Sequence, residues 1–245
     1  MKPLIILLSF LYLHPSINIV DIYPSNINLF EFKSSENEKK YNKIFKKCHK
    51  IEKEMDKLHE RDWSLQMRYD DLNCGEYLYP WKALEGCSWY CGGSVEKTEG
   101  SSHIKSSENI DYYPKNISDL NYRTVWATKN GIEENLTFTF IPNTSKISNI
   151  SIANGYIKNK TAWKNNSRVR KIKVYYNNTE ICILNLEDSR SEQTFIIPEL
   201  GYDKNQPLTN KKDWTIKLQI MEIYKGDKYQ DLVISEVMFG GNHHH

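Results

Sequence analysis

Three short stretches of this 245-residue chain combine aromatic rings with forked hydrogen-bonding side chains. They are Asn154-Gly155-Tyr156-Ile157-Lys158, Trp163-Lys164-Asn165-Asn166-Ser167-Arg168 and Tyr224-Lys225-Gly226-Asp227-Lys228-Tyr229-Gln230-Asp231. The mixture suits a ligand with an apolar face and a hydroxylated edge, which describes a sugar ring. An aromatic platform covers the C–H face while Asn, Asp, Arg and Lys reach the hydroxyls. The same residue types also build ordinary turns, so each stretch alone argues little. Reaction machinery is harder to find. The chain has no Gly-x-Ser-x-Gly elbow, no phosphate-cradling glycine loop and no His-Glu-x-x-His. No histidine falls between Ile117 and Asn242. Carboxylates are plentiful enough for a glycosidase pair, but nothing in their spacing singles two out.

Five cysteines offer a second kind of chemistry: Cys48, Cys74, Cys87, Cys91 and Cys182. The first four read as a disulfide cluster whose pairing the sequence leaves open. Zinc, with His49 as a further ligand, is the competing reading, although no Cys-x2-Cys knuckle is present. Cys182 sits in Ile181-Cys182-Ile183-Leu184 and reads as an inert core thiol. The closing His243-His244-His245 reads as a tail and not as a metal site.

The chain around these residues is 39% hydrophobic, enough for a packed core. Lys and Arg number 33 against 31 Asp and Glu, so no whole-chain basic excess points to nucleic acid. Residues 1–20 read as a signal peptide, with Lys2 followed by the apolar run Leu4 to Leu13. Residues 21–35 read as a linker, and 36–72 as an amphipathic helical segment. In the latter, Ile44, Cys48, Ile51, Met55 and Leu58 share one helical face that must pack against a partner helix, the second domain or another copy. Residues 73–111 form a cysteine- and aromatic-rich connector and linker, and 242–245 a disordered tail. Residues 112–241 alternate with period two, as in Leu136-Thr-Phe-Thr-Phe140, and break at turn signals such as Asn177-Asn178. About seven strands with nothing helical between them predict a mainly β fold, an antiparallel β-sandwich jelly roll.

Asp119, Thr124 and Trp126, spaced Asp-x4-Thr-x-Trp, resemble the opening of galactose-binding-like (discoidin-like) jelly rolls. Four further stretches are similar to the NADase-type glycan-binding domain: Asn154-Gly-Tyr-x-Lys158, Asn165-x-x-Arg168-Val-Arg-x-Ile-x-Val174, Leu186-x-Asp188 with Gln193, and Tyr224-x-Gly-x-Lys-Tyr-x-Asp231-x-x-Ile-Ser-Glu236. Trp89-Tyr-Cys-Gly-Gly93 resembles a segment that precedes such domains. The resemblance covers residues 112–241 and implies a sandwich that binds glycan without cleaving it. It leaves no room for a catalytic NAD-hydrolysing domain. It also implies a structural calcium at Asp119, Thr124 and Glu236, completed by backbone carbonyls. Leu120 stands where the family carries the glycine of that turn.

The expectation is a non-catalytic carbohydrate-binding module of a secreted or cell-surface protein, neither membrane-spanning nor nucleic-acid-binding. Tyr156 and Trp163 would supply the apolar platform. Asn154, Lys158, Asn165, Arg168 and Asp188 would supply hydrogen bonds. Arg168 and Asp188 could equally pair with each other or with Glu236, and Trp163 could cap its loop. The alternative is a protein-interaction adaptor that binds its partner through residues 44–58.

Overall fold

A computed structural model of the chain describes residues 19–30, 35–58, 62–72, 74, 89–106, 111–203, 207, 209 and 211–241. The apolar run Leu4 to Leu13, Cys87 and the terminal histidines lie outside them. The described strands are β1 (Val20–Ile22), β2 (Asn26–Leu29), β3 (Lys97–Gly100), β4 (Trp126–Thr128), β5 (Asn135–Phe140), β6 (Ile147–Asn154), β7 (Arg168–Tyr176), β8 (Thr179–Asn185), β9 (Ser191–Leu200), β10 (Trp214–Tyr224) and β11 (Leu232–Gly240). They build two sheets, one ordered β1-β8-β7-β10-β5-β3 and the other β2-β9-β6-β11-β4. All pairings are antiparallel except β1 with β8. The fold is the expected jelly-roll sandwich.

Alternation along the strands makes the core. In β5, Leu136, Phe138 and Phe140 point inward and are fully buried, while Asn135, Thr137 and Thr139 face outward. Phe140 stacks on Trp214 at 4.4 Å between centroids and meets Phe239 edge-on at 5.1 Å. Each such buried aromatic contributes about 1.5–3 kcal/mol by leaving water. The β7–β8 turn is Asn177-Asn178, with φ of 46° and 69°. Those left-handed angles belong to the tight hairpin turn that paired asparagines favour.

Four local expectations differ from what is observed. In the sequence, Thr194 to Ile197 reads as a strand closed by Pro198, yet β9 runs on to Leu200. A register shift against β6 between Ile147 and Asn149 accommodates the residue that cannot donate a hydrogen bond. Residues 21–30, expected as linker, hold most of β1 and all of β2, one at the edge of each sheet. Trp89, expected in a connector, is buried in the sandwich core, and its indole N–H donates to the Ser145 carbonyl at 3.0 Å. A helix, α3 (Lys160–Asn165 in chain order), interrupts the strands where none was expected.

The N-terminal helices are α1 (Ser35–Met55) and α2 (Trp63–Asp71). Asp62 caps α2, accepting hydrogen bonds from the Ser64 and Leu65 amides. Cys48 and Ile51 of the α1 stripe are buried against Leu65 and Cys74, with Ile44, Met55, Tyr69 and Leu72 packed around them. A Cys48–Cys74 disulfide cross-links this small core. Of the three packing partners expected for the stripe, the structure supplies a partner helix, α2, inside the chain; of the stripe residues only Leu58 remains exposed. The bonded Cys48 likewise has no coordination to offer a zinc beside His49. Among the described cysteines, Cys91 is exposed without a disulfide. Cys182 is buried, and burial pushes its thiol up to about 12.

Candidate functional site

The rim of the sandwich is assembled from α3, the start of β7 and the loop between β10 and β11. Asn159 caps α3 by accepting the Ala162 amide at 2.8 Å. The 225–231 loop then docks on the carbonyls that α3 leaves free. The Asp227 amide donates to Lys164 O at 2.9 Å and the Tyr229 amide to Asn165 O at 2.7 Å. Ser167 completes the seam. Its amide donates to Asp231 O at 2.9 Å, and its hydroxyl accepts from the Gly226 amide at 3.2 Å. Gly226 permits this approach, since a β-carbon there would run into the backbone of Asn165, Asn166 and Tyr229.

Arg168, only 5% exposed, fastens the structure from beneath. Its Nε and Nη2 donate to the two Asp188 oxygens at 2.7 and 3.1 Å. Its Nη1 donates to Asn166 O at 2.8 Å and Trp163 O at 3.2 Å. The guanidinium carbon lies 4.3 Å from the Trp163 ring centroid, so the indole stacks on a cation. Asp188 is held for this pairing by its own neighbours. The Gln193 amide exchanges two hydrogen bonds of 2.8 Å with the Glu187 backbone, and the Tyr224 hydroxyl donates to Leu186 O at 3.0 Å.

The structure thus brings Trp163, Asn165, Arg168 and Asp188 together at one end. Trp163 is half-buried and its indole N–H donates to Asn154 O at 3.0 Å. Asn154 lies wholly beneath the rim, and both of its amide atoms bond the Val169 backbone, at 2.7 and 2.9 Å. That makes it a tie between β6 and β7 with no polar atom turned outward. Tyr156 is half-buried against Val125, Ala127 and Val233, beside Tyr112, and burial raises its hydroxyl above the usual phenol range. Lys158 is exposed. Sequence reasoning left Tyr229, Lys164, Lys225 and Lys228 out of the site. Tyr229 is 44% exposed and its neighbour Lys228 hangs 5.1 Å from its ring centroid. The signal for them was Gly226, a glycine inside a basic and aromatic loop.

A second cluster forms between residues 116–124 and β11. Thr124 Oγ1 donates to Asp119 Oδ2 at 2.8 Å and lies 2.7 and 3.2 Å from the carbonyls of Asn121 and Asn116. The Asn121 amide donates to both Asp119 and Glu236, at 3.0 Å each. Glu236 is fully buried, and its Oε1 has no hydrogen-bond partner among the described residues. Burial, with the Asp119 carboxylate beside it, pushes the Glu236 carboxyl up to about 9. Burial raises Asp119 as well. Leu120 takes the left-handed φ of 60°, so the turn that a glycine would make is kept despite its side chain. Among the described residues no group of three His, Cys, Asp or Glu gathers around one point. The cluster nonetheless fits calcium: two carboxylates, one of them holding an orphaned oxygen, a hydroxyl and two carbonyls supply the hard donors it takes.

Residues 89–240 match the model of the NAD glycohydrolase translocation F5/8 type C domain family. The chain belongs to that family. No curated protein sequence matches it. Among solved structures, this F5/8 type C domain is similar to CpGH89CBM32-5 from Clostridium perfringens, determined in complex with GalNAc-β-1,3-galactose. Identity is 17%, the TM-score 0.40, and the match covers 59% of this chain and 94% of the other. CBM32-3 from a family 31 glycoside hydrolase of the same organism gives 14%, 0.40, 65% and 100%. The Streptococcus pyogenes NAD+-glycohydrolase translocation domain gives 26%, 0.29, 46% and 91%.

Proposed function

We propose that this F5/8 type C domain is a non-catalytic glycan-binding module of a secreted or cell-surface protein, with its site on the α3 and 225–231 rim. The observation that carries the proposal is the hydrogen-bonded seam between these two loops. It joins the backbone of Lys164, Asn165 and Ser167 to residues 226–231, so the segments that carry Trp163 and Tyr229 share one rigid frame. Such pre-ordering lowers the entropy lost when a polar ligand docks. Stacking, hydrogen bonding and positive charge are the chemistry gathered here, and the chain has no histidine in this half to move a proton. Asn154, Tyr156, Arg168 and Asp188 act one layer below, holding the rim in shape. The Cys48–Cys74 disulfide suits an oxidising, extracytoplasmic setting. Among the described residues no helix is long and apolar enough to cross a membrane.

A single site of this kind should bind with millimolar to micromolar affinity, about −4 to −8 kcal/mol. The test is a glycan array followed by titration of the best ligand. Tyr229→Ala should weaken binding roughly tenfold through lost stacking while leaving the melting temperature unchanged. An array without signal, or a variant that binds as the parent does, contradicts the proposal.

Calcium, when bound by Asp119, Thr124, Glu236 and the Asn116 and Asn121 carbonyls, would supply charge neutralisation and no reaction. It would tie the 116–124 loop to β11. Saturating calcium should raise the melting temperature by roughly 5–10 °C over a chelated sample. Glu236→Gln keeps the shape and should lose that shift. Equal melting of the parent in calcium and in chelator would dismiss the ion.

A further inference from the structure

We infer that the saccharide recognised at this rim is an anionic one, bearing carboxylate or sulfate groups; the inference rests on the glycan-binding proposal and adds the ligand's class. Residues 158–166 and 225–231 carry Lys158, Lys160, Lys164, Lys225 and Lys228 against Asp227 and Asp231. That surplus of three positive charges exceeds the +2 of the entire chain, so the remainder is close to balanced. All five lysines are exposed. Lys160 and Lys164 are one turn apart on α3 and share a face. The amides of Asp227 and Lys228 bond the carbonyls of Lys164 and Asn165, which brings the two lysine-bearing backbones side by side. Charges carried on adjoining backbones act together wherever they fall within the screening length of about 8 Å at physiological salt.

Several lysines elsewhere on the sandwich are ion-paired. Lys146 is paired with Glu199 and Asp203, Lys171 with Glu222, and Lys173 with Glu180. None of the five rim lysines has an acidic partner among the described residues. Arg168 adds no free charge, because Asp188 neutralises it. The rim lysines lie in the same two loops that carry Tyr229 and the half-buried Trp163, and Lys228 hangs over the Tyr229 ring. A ring to stack on, next to amines that attract anions, matches a charged sugar better than a bare polyanion. Nucleic acid usually calls for a longer basic stripe than one pair of loops.

The experiment compares matched glycans on one array: sialylated with desialylated, sulfated with unsulfated, and uronate with its carboxyl-reduced form. Phosphatidylserine vesicles and single-stranded DNA serve as competing polyanions. The acidic member of each pair should bind roughly tenfold tighter, and that margin should shrink as sodium chloride rises from 50 to 300 mM, by about the screening law. The double variant Lys164→Ala with Lys228→Ala should erase the margin between acidic and neutral members while keeping the parent melting temperature. Equal binding of acidic and neutral members overturns the inference and leaves the glycan proposal standing. Binding of no saccharide overturns both. Vesicles or DNA bound as tightly as the acidic glycan would also overturn it, since charge alone would then suffice.

Discussion

Replacing Arg168 with alanine is expected to lower the stability of the sandwich by about 3 kcal/mol and its melting temperature by roughly 6–12 °C. The guanidinium is almost wholly buried, so its loss leaves the carbonyls of Trp163 and Asn166 without a donor. It also removes the support under the Trp163 ring. The Asp188 side chain is 39% exposed, so water takes over part of what that carboxylate loses. This keeps the expected loss at the lower end of the range for broken buried pairs, about 3–5 kcal/mol. Asp188→Asn should cost less, about 1 kcal/mol, because the amide oxygen still accepts one of the two bonds. Thermal or urea melting checks both. An Arg168→Ala protein that melts with the parent would show that the network does not carry the load assigned to it.

Gly226→Ala is expected to abolish detectable glycan binding in a protein that still folds. A β-carbon at this position meets three backbone groups, from Asn165, Asn166 and Tyr229, and none of them belongs to a side chain that can swing aside. The seam must open, so residues 227–229 move away from Lys164 and Asn165. Most of the core lies in the strands and is untouched, so the overall melting temperature should fall modestly. The two readouts separate a site built from joined loops from one that lies elsewhere. Unchanged binding by Gly226→Ala would place the ligand away from this rim.

The strands were legible wherever one face is buried and the other wet. β5 shows that alternation throughout and β10 over its first eight residues, and Asn177-Asn178 marks its own hairpin through its tolerance of positive φ. The edge strands were not legible. Asn-Ile-Asn-Leu in β2 and Lys-Thr-Glu-Gly in β3 are mostly exposed and owe their shape to hydrogen bonds from β9 and β5, a tertiary effect without a local pattern. Trp89 looked like part of a connector because, apart from the adjacent Tyr90, its partners Ser145, Phe140 and Phe239 lie far off in sequence. At the rim, the shared motifs picked out loops that the fold joins but not the depth of each side chain. Asn154 and Arg168 carry donors that suit a ligand, and only the packing reveals that Val169, Asp188 and the α3 carbonyls use them. Another buried arrangement had no sequence signal. Burial alone would raise the Glu134 carboxyl, but hydrogen bonds from Ser101, Asn130, Ser102 and Thr128 outweigh it and hold the group below the usual carboxylate range.

The most direct measurement is a titration of the isotopically labelled protein with its best array glycan, followed by amide and indole resonances, with the sugar's mass measured afterwards. Shifts should concentrate on residues 158–168 and 225–231, with the Trp163 indole among them, and the glycan should be recovered unchanged. Shifts centred on α1 and α2, or a cleaved sugar, would contradict the account.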